Sequence, residues 1–348
     1  MNSFRSHLFL LIFLCCFVTG SGQYVPDVLG DHYLYRSIQM PNDYEGKVIC
    51  TLVKKPQLPD VHRAVLYLHG YNDYFFQKQL GDSINAHGYN FYALDLRKYG
   101  RSLLPNQTAF FCKDLQEYFA DLDTALAVIR KEGNDEVVLM AHSTGGLIVS
   151  DYLKARKAEA LVAGVLLNSP FLDWNFGWFM ENIVLPTVSF IGRFFPNLTV
   201  QGYGNASYAH SLLKAFKGEW EYNTAWKMIN GFPKKAGWIH AIHEAQKRIQ
   251  KGNFVQCPVL VLSSDRSFPE TAEWHEAYHE TDIVLDVHDI QHYGKQLGKH
   301  VTCDTITGGI HDLILSRPAA REQTYRTIFD WLHSLDTVSG TFPTSLQQ

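Results

Sequence analysis

Residues 136–149 read E-V-V-L-M-A-H-S-T-G-G-L-I-V, and this stretch decides the fold. The apolar run before Ala141 predicts a buried strand, and the apolar run after Gly146 predicts a helix. Between them lies a turn of small residues that carries Ser143. A strand, a tight turn and a helix in this order are the repeating unit of a parallel α/β sheet.

The turn around Ser143 is typical of a nucleophile elbow. Larger side chains at Ala141 and Gly145 would clash, and the serine is therefore presented above the sheet. The helix that follows directs its free N–H groups to the same place, which favours negative charge. The pattern is A-x-S-x-G, with Ala141 where the usual G-x-S-x-G has its first glycine. Many structural turns also contain Ser and Gly, so the rest of the chain has to decide.

Six apolar runs separated by helical stretches predict a parallel sheet that is buried on both faces. The runs are Ala64–Leu68, Phe91–Leu94, Val137–Met140, Val165–Leu167, Val259–Leu262 and Val301–Ile306. The alternating segments His32–Met40 and Lys47–Lys54 precede them and predict an antiparallel hairpin. Helices are predicted at Lys113–Lys131 and Glu322–Leu335. The fold class is therefore α/β, with a mostly parallel central sheet flanked by helices.

The alternation of strands and helices stops over residues 171–256. This stretch holds five of the seven tryptophans and many other aromatic residues. We expect a mostly helical cap here, inserted between two core strands, with most of its aromatic side chains in the cap's own core. The core domain then comprises residues 23–170 and 257–336, and residues 337–348 form a disordered tail.

The N-terminus has the pattern of a secretory signal. Arg5 precedes an apolar stretch from Leu8 to Val18, and small residues follow at 19–22. At about eleven residues this stretch is shorter than the ~20 that a transmembrane helix needs. We expect residues 1–22 to be a signal peptide and the protein to be secreted or periplasmic. Membrane anchoring by an uncleaved signal is the alternative.

The composition argues against several functions. With a net charge of −4 and no basic run longer than two residues, the chain has little electrostatic support for binding nucleic acid. The cysteines outside the signal form neither a disulfide framework nor a C-x-x-C zinc motif, and no metal is expected. These cysteines are Cys50, Cys112, Cys257 and Cys303. Asn106, Asn197 and Asn205 fit the glycosylation sequon, which has meaning only in a eukaryotic host.

A serine hydroxyl becomes nucleophilic when a base accepts its proton and a third group orients the base. An elbow therefore predicts an acid and a histidine after later strands, in that order along the chain. His311 follows the last predicted strand in T-G-G-I-H-D, and the strand Pro258–Leu262 runs into S-S-D, which places Asp265 just past its end. We predict a triad of Ser143, Asp265 and His311.

Neighbouring residues compete for these roles. Asp286 and Asp289 are the other candidates for the acid. His142 is adjacent to the serine, but we expect it to point to the opposite side of the turn and to serve packing. Asp312 is expected to be a structural hydrogen-bonding residue beside His311.

Two backbone N–H groups are needed where negative charge develops on the substrate oxygen. Thr144, directly after the serine, is expected to supply one. The loop after the first parallel strand reads L-H-G-Y-N-D at 68–73, where Gly70 allows the backbone to turn inward. The N–H of Tyr71 is then the predicted second donor.

Five segments together resemble the α/β-hydrolase superfamily, in the branch of monoacylglycerol lipases, lysophospholipases and serine aminopeptidases. They are L-H-G-Y-N-D at 68–73, D-L-R-K-Y-G-R-S at 95–102, A-H-S-T-G-G at 141–146, P-V-L-V-L-S-S-D at 258–265 and G-G-I-H-D at 308–312. The resemblance covers about residues 32–336 and implies the same triad and oxyanion donors, a cap at 171–256 and no cofactor. The chain departs from the family at Ala141 and in S-S-D at 263–265, which is shorter than the common G-x-x-D loop.

These observations predict a secreted serine hydrolase that cleaves carboxylic esters with an apolar acyl or aryl group, such as a monoacylglycerol or a lysophospholipid. The expected partners are this small substrate and, transiently, a membrane or lipid surface at the cap. An aminopeptidase or amidase is the alternative, with carboxylates in the cap to bind an amino group; the candidates are Glu181, Glu219, Glu221 and Glu244. A non-catalytic binding protein is a third hypothesis. Dehalogenase and epoxide-hydrolase chemistry is excluded because Ser143 stands where those enzymes need a carboxylate.

Overall fold

The computed structural model describes residues 22–156, 162–271 and 273–339. The predicted signal peptide, apart from Gly22, lies outside these residues, as does the predicted tail from residue 340 onward. The last helix continues to Ser339, so the tail does not begin at residue 337 as expected.

The described part of the chain forms a nine-stranded sheet with the order β1-β2-β3-β5-β4-β6-β7-β10-β11, and a separate two-stranded ribbon of β8 and β9. The strands are β1 Val25–Pro26, β2 Leu34–Asp43, β3 Gly46–Lys54, β4 Arg63–Leu68, β5 Asn90–Asp95, β6 Glu136–His142, β7 Val162–Asn168, β8 Thr199–Gln201, β9 Lys234–Lys235, β10 Val259–Ser264 and β11 Val301–Ile306. From β5 to β11 all neighbours are parallel, whereas β2 and β3 form the predicted antiparallel hairpin. The prediction of an α/β fold with a mostly parallel sheet is confirmed.

The sheet is buried on both faces because its central strands are almost entirely apolar. Leu66 and Leu139 pack into a core on one face, while their neighbours Val65 and Val138 pack into a second core on the other. Strand β11 differs from the prediction of a buried strand, since it lies at the edge of the sheet and alternates between half-buried and exposed residues. Its sequence V-T-C-D-T-I alternates in the same way.

Helices cover both faces of the sheet. They are α1 Lys78–Ala86, α2 Phe119–Lys131, α3 Thr144–Arg156, α4 Leu185–Phe194, α5 Ser207–Leu212, α6 Ala236–Ile249, α7 Val287–Gly294 and α8 Pro318–Ser339. The helix predicted from Lys113 instead starts with a 3-10 turn at Leu115–Tyr118, because a capping box of Asp114 and Glu117 fixes its beginning. Among the described residues, no helix has both the length and the apolar character required to cross a bilayer.

Residues 171–256, called the insert below, connect β7 to β10 and contain α4, α5, α6 and the ribbon. Helix α4 packs closely against the start of α6: a Cβ on Gly192 would lie 2.1 Å from the Ala236 carbonyl oxygen. The expectation that most aromatic residues form the insert's own core is wrong. Trp174 and Trp238 are buried, but eight of these aromatic side chains are exposed: Phe176, Trp178, Phe179, Phe190, Phe194, Phe195, Tyr203 and Phe216. With α4 packed on α6, the other face of α4 is not covered by any part of the chain that the structure describes.

Candidate active site

Ser143 lies in the turn between β6 and α3 and has a left-handed backbone conformation, with φ of +52°. A non-glycine residue adopts this conformation only when its surroundings hold it there. Its N–H donates to the Asn168 carbonyl (3.0 Å), and its own carbonyl accepts from Phe171 N (3.0 Å). Both partners follow or end β7, so the neighbouring strand fixes the strained turn.

The small residues of the turn are required by close packing. A Cβ on Gly145 would lie 2.5 Å from the His69 carbonyl oxygen, and one on Gly146 would lie 2.6 Å from Pro170 Cβ. A Cβ on Gly70 would lie 3.0 Å from the Cβ of Ser143. Glycines thus bring the loop after β4 against the serine.

His311 lies beyond β11 and contacts the serine as predicted. Its Nε2 is 2.9 Å from Ser143 Oγ, and both side chains are buried. Its Nδ1 is 2.8 Å from Oδ2 of Asp282, a carboxylate that is fully buried. A carboxylate that accepts a hydrogen bond from Nδ1–H leaves Nε2 free to accept the serine proton.

The acid that contacts His311 is Asp282, not Asp265. Asp265 does follow β10 directly, but it is exposed and accepts a hydrogen bond from Gly308 N (3.1 Å). A long loop joins Asp265 to Asp282, and the end of this loop lies beside its beginning, where Asp282 N donates to Arg266 O (3.1 Å). The prediction assumed that the acid lies at the end of β10, whereas the acid that contacts His311 lies at the end of this loop.

The carboxylate of Asp282 is held by backbone donors. Its Oδ1 accepts from the N–H groups of Val284 (2.8 Å) and Leu285 (2.9 Å). The competing Asp286 caps α7 by accepting from His288 N. The sequence offered no local signal for Asp282, because it follows no predicted strand and its place is set by backbone contacts of the segment that carries it.

Asp312 and His142 are the sequence neighbours of His311 and Ser143, and the prediction is confirmed for Asp312 but not for His142. Asp312 is a buried hydrogen-bonding residue, as expected, and accepts from Asn168 Nδ2 (2.7 Å) and Gln77 Nε2 (3.1 Å). His142 does not point away: its ring centroid is 4.8 Å from that of His311. Burial lowers the pKa of His142, which favours the neutral form of this ring beside His311.

Tyr71 and Thr144 line the same cavity as Ser143 and His311. Thr144 is the first residue of α3, and a helix offers no carbonyl to the N–H groups of its first turn. The loop that carries Tyr71 is fixed by His69, whose Nδ1 donates to Gly70 O (2.8 Å) while its Nε2 accepts from Leu96 N (3.1 Å). Burial lowers the pKa of His69, in agreement with this neutral state.

The same loop is bonded to the insert. Asn72 makes two hydrogen bonds of 2.8 Å with the backbone N–H and carbonyl of Met228. Beside it, the buried Lys227 ammonium lies 2.9 Å from Asp73 Oδ1. The insert therefore holds the loop that presents Tyr71.

Two cavities of about 380 Å³ each meet at this place. The first, called the serine cavity, contains Ser143 and His311 and has a mainly apolar and aromatic wall: Phe171, Trp174, Phe176, Trp238, Ile283, Val284 and Leu285. The second, called the polar cavity, is lined by polar residues of the insert such as Asn205 and Asn230, together with some apolar ones such as Met228 and Phe232. The two share seven lining residues: Tyr71, Gln201, Tyr208, Lys227, Lys234, Glu270 and Val284.

None of the four glutamates proposed to bind an amino group lines either cavity. Glu219 forms ion pairs with Arg317 and Arg321, and Glu244 pairs with Lys247. The described carboxylates that line the cavities are Asp73, which is paired with Lys227, and Glu270.

Asp73, His142 and Asp312 have ligand atoms within 4.8 Å of one another, a spacing that would suit a metal ion. Their own contacts explain the cluster without one. Lys227 supplies the positive charge beside Asp73, and Asp312 accepts from two side-chain amides. His142 donates through Nδ1 to the Asn168 carbonyl. The contacts of these three residues are those of a hydrogen-bonded network that lies beside Ser143 and His311.

A family model described as serine aminopeptidase, S33, matches residues 59–318. The chain belongs to this family. The match contains the elbow, the loop of Tyr71, Asp282 and His311, so the hydrolase core and the insert both lie within it. A comparison with curated proteins finds no match.

Solved structures share the fold at low sequence identity. A monoacylglycerol lipase from Paleococcus ferrophilus is 20% identical with a TM-score of 0.58, covering 78% of this chain and 94% of that one. A soluble variant of monoglyceride lipase from Saccharomyces cerevisiae is 16% identical with a TM-score of 0.62 (85% and 94%). A carboxyl esterase from Bacillus coagulans is 13% identical with a TM-score of 0.60 (86% and 98%). These likenesses establish the α/β-hydrolase fold of this member of the S33 family.

Proposed function

We propose that this protein is a serine hydrolase that cleaves carboxylic esters with an apolar acyl or aryl group. His311 takes the proton of Ser143, whose Oγ attacks the acyl carbon, and the imidazolium is stabilised by Asp282. The Tyr71 and Thr144 N–H groups donate to the oxyanion. His311 then protonates the leaving alcohol, and a water activated by the same residue releases the acid.

The observation that carries this proposal is the serine cavity itself. His311 Nε2 is 2.9 Å from Ser143 Oγ, and its Nδ1 is 2.8 Å from Asp282 Oδ2, so the three side chains are hydrogen-bonded in series. Aromatic and aliphatic side chains surround the serine. Such walls favour apolar substituents, because each buried CH₂ group contributes about 0.8 kcal/mol to binding. Monoacylglycerols and lysophospholipids have acyl chains of this character.

The family description favours a second candidate, an aminopeptidase. A free amino group would need an unpaired carboxylate near the serine, and among the described residues lining the cavities only Glu270 meets this condition. Hydrolysis of aminoacyl p-nitroanilides at rates above those of esters would favour the peptidase. Ester hydrolysis without trimming of a peptide ladder would exclude it.

The test is a series of p-nitrophenyl esters from acetate to palmitate, assayed with the protein and with Ser143→Ala. We expect the highest kcat/KM at medium or long chains and a loss of about 10⁶ in kcat for the variant. Ser150→Ala is the matched control, since this buried serine lies in α3 and bonds only to the Gly146 carbonyl. Near-normal turnover by Ser143→Ala would contradict the mechanism.

We further propose that the insert acts as a cap that contacts lipid aggregates. Twelve large apolar side chains between residues 176 and 203 are exposed, and Phe176 among them also lines the serine cavity. The same segment contains only two charged residues, Glu181 and Arg193. An exposed apolar surface of this kind is typical of an interaction site, and its lack of charge favours a neutral lipid surface over a charged one.

Secretion is proposed on the basis of residues 1–22. The three sequon asparagines are exposed, which would permit glycosylation in a eukaryotic host. Expression in the source cell, with separate assay of the medium and the cell fraction and with N-terminal sequencing, tests this proposal. A mature N-terminus after Gly20 or Gly22 is expected, whereas a membrane-bound full-length chain would indicate an anchor.

A further inference from the structure

Lys234 lies where the serine cavity and the polar cavity meet, and it lines both. Its ammonium is 6.0 Å from the ring centroid of Tyr71, the residue proposed to supply an oxyanion donor. Strand β9 carries the lysine, and its pairing partner Gln201 in β8 accepts a hydrogen bond from Nζ (3.1 Å). A positive charge is therefore fixed beside the reacting centre.

This charge has no acidic partner. Among the described residues, no carboxylate lies within 4.0 Å of Lys234 Nζ, whereas the other lysine of these cavities, Lys227, is neutralised by Asp73. Glu270 lines the same cavities but is exposed and outside that distance. Half-burial without a counter-ion lowers the pKa of Lys234, which means that the site disfavours the bare ammonium.

The two cavities differ in what they accommodate. The apolar serine cavity suits an acyl chain, so the polar cavity is left for the alcohol portion of the ester. We propose that Lys234 binds an anionic group, a phosphate or a carboxylate, on the leaving-group side of the substrate. This inference rests on the proposed function and names the substrate class of the same site: acyl esters of an anionic alcohol.

The test compares three oleoyl esters that share one acyl chain: 1-oleoylglycerol, 1-oleoylglycerol 3-phosphate and oleoyl glycerate. We expect kcat/KM to be about tenfold or more higher for at least one anionic ester than for the neutral one, the size of one charge-assisted hydrogen bond. The phosphate and carboxylate arms identify which group is bound. In Lys234→Met this preference is lost, mainly through a higher KM for the anionic ester that is preferred.

The matched control is Lys235→Met. Lys235 is the other residue of β9, and it bonds to Thr199 Oγ1 (2.9 Å) instead of lining either cavity. This variant is expected to keep the preference. An equal kcat/KM for all three esters, or the same loss in both variants, would overturn the inference.

Binding to Ser143→Ala separates this inference from the proposed function. Calorimetric titration with 1-oleoylglycerol 3-phosphate and with oleoyl glycerate needs no turnover, and it should show at least one of them binding about tenfold more weakly when Lys234→Met is added. If no ester is hydrolysed but this difference is found, the proposed function fails and the anion site stands. If esters are hydrolysed and neither anionic ester shows the difference, the anion site fails alone.

Discussion

At the scale of single residues, Asp282 makes the contact with His311 that the sequence pattern assigned to Asp265. Replacing Asp282 by Asn removes the acceptor that orients His311, and we expect kcat to fall by about 10⁴, the effect known for such a change in a serine triad. Steady-state kinetics with a soluble ester measures this.

The control is Asp265→Asn. Its carboxylate contacts Gly308 N and not the histidine, so kcat should be unchanged. Circular dichroism of both variants shows whether they fold. A large loss in Asp265→Asn together with a normal rate in Asp282→Asn would reverse the assignment.

Lys234 gives a pH dependence with a definite sign. Burial lowers its pKa below the usual 10.5, so its charge is present at low pH and lost earlier than in an ordinary lysine as pH rises. We expect the preference for the anionic ester, measured as the ratio of kcat/KM values, to decline with rising pH below 10.5.

Burial raises the pKa values of Tyr71 and Tyr208, which line the same cavities, so their titration is not expected below pH 10. Lys227 and Glu270 also line the two cavities, so the same ratio of kcat/KM values measured with Lys234→Met serves as the reference for their titration. A ratio that does not change with pH up to 10.5 would contradict the proposal that Lys234 binds the anionic group.

At the scale of elements, the close contact between the elbow helix and the loop of Tyr71 is the feature most sensitive to change. Gly145→Ala places a methyl group 2.5 Å from the His69 carbonyl and must displace that loop. A misplacement of about 1 Å at a catalytic group lowers the rate about 10²-fold, and we expect a loss of this order in kcat. Gly177→Ala, whose Cβ has no neighbour within 4 Å, should retain full activity. Equal kcat values in both variants would show that the contact is unimportant.

The central parallel strands were predictable because each is a short apolar run, and a near-continuous apolar run favours burial on both faces. The serine was predictable because it directly follows such a strand, and the histidine because it lies in the loop after the last strand of the sheet. Asp282 was not predictable, because 16 residues separate it from Asp265. Its position depends on backbone hydrogen bonds to Arg266 and Phe268, and no local sequence pattern encodes these bonds. The exposed aromatics of α4 were missed because helical periodicity does not tell a covered face from an open one.

At the scale of the whole molecule, the apolar surface of the insert should make activity depend on the physical state of the substrate. We expect a variant with Phe190, Phe194 and Phe195 replaced by Ser to bind phosphatidylcholine vesicles about tenfold or more weakly, because buried phenylalanine side chains contribute about 1.5–3 kcal/mol each. Its kcat/KM for a soluble butyrate ester should be unchanged. Vesicle flotation and parallel kinetics measure the two effects.

The control for this variant replaces Val28 and Phe216, which are exposed apolar residues outside 176–203. Vesicle binding should persist in it. If both variants bind vesicles as the unaltered protein does, the insert is not the lipid-contacting surface.

The central claim is that Ser143 is the nucleophile, and covalent labelling with a fluorophosphonate tests it most directly. Mass spectrometry of the labelled, proteolysed protein should find one adduct, on Ser143, with labelling abolished in Ser143→Ala and greatly slowed in His311→Ala. An adduct on another residue, or a folded protein that does not react, would contradict the account.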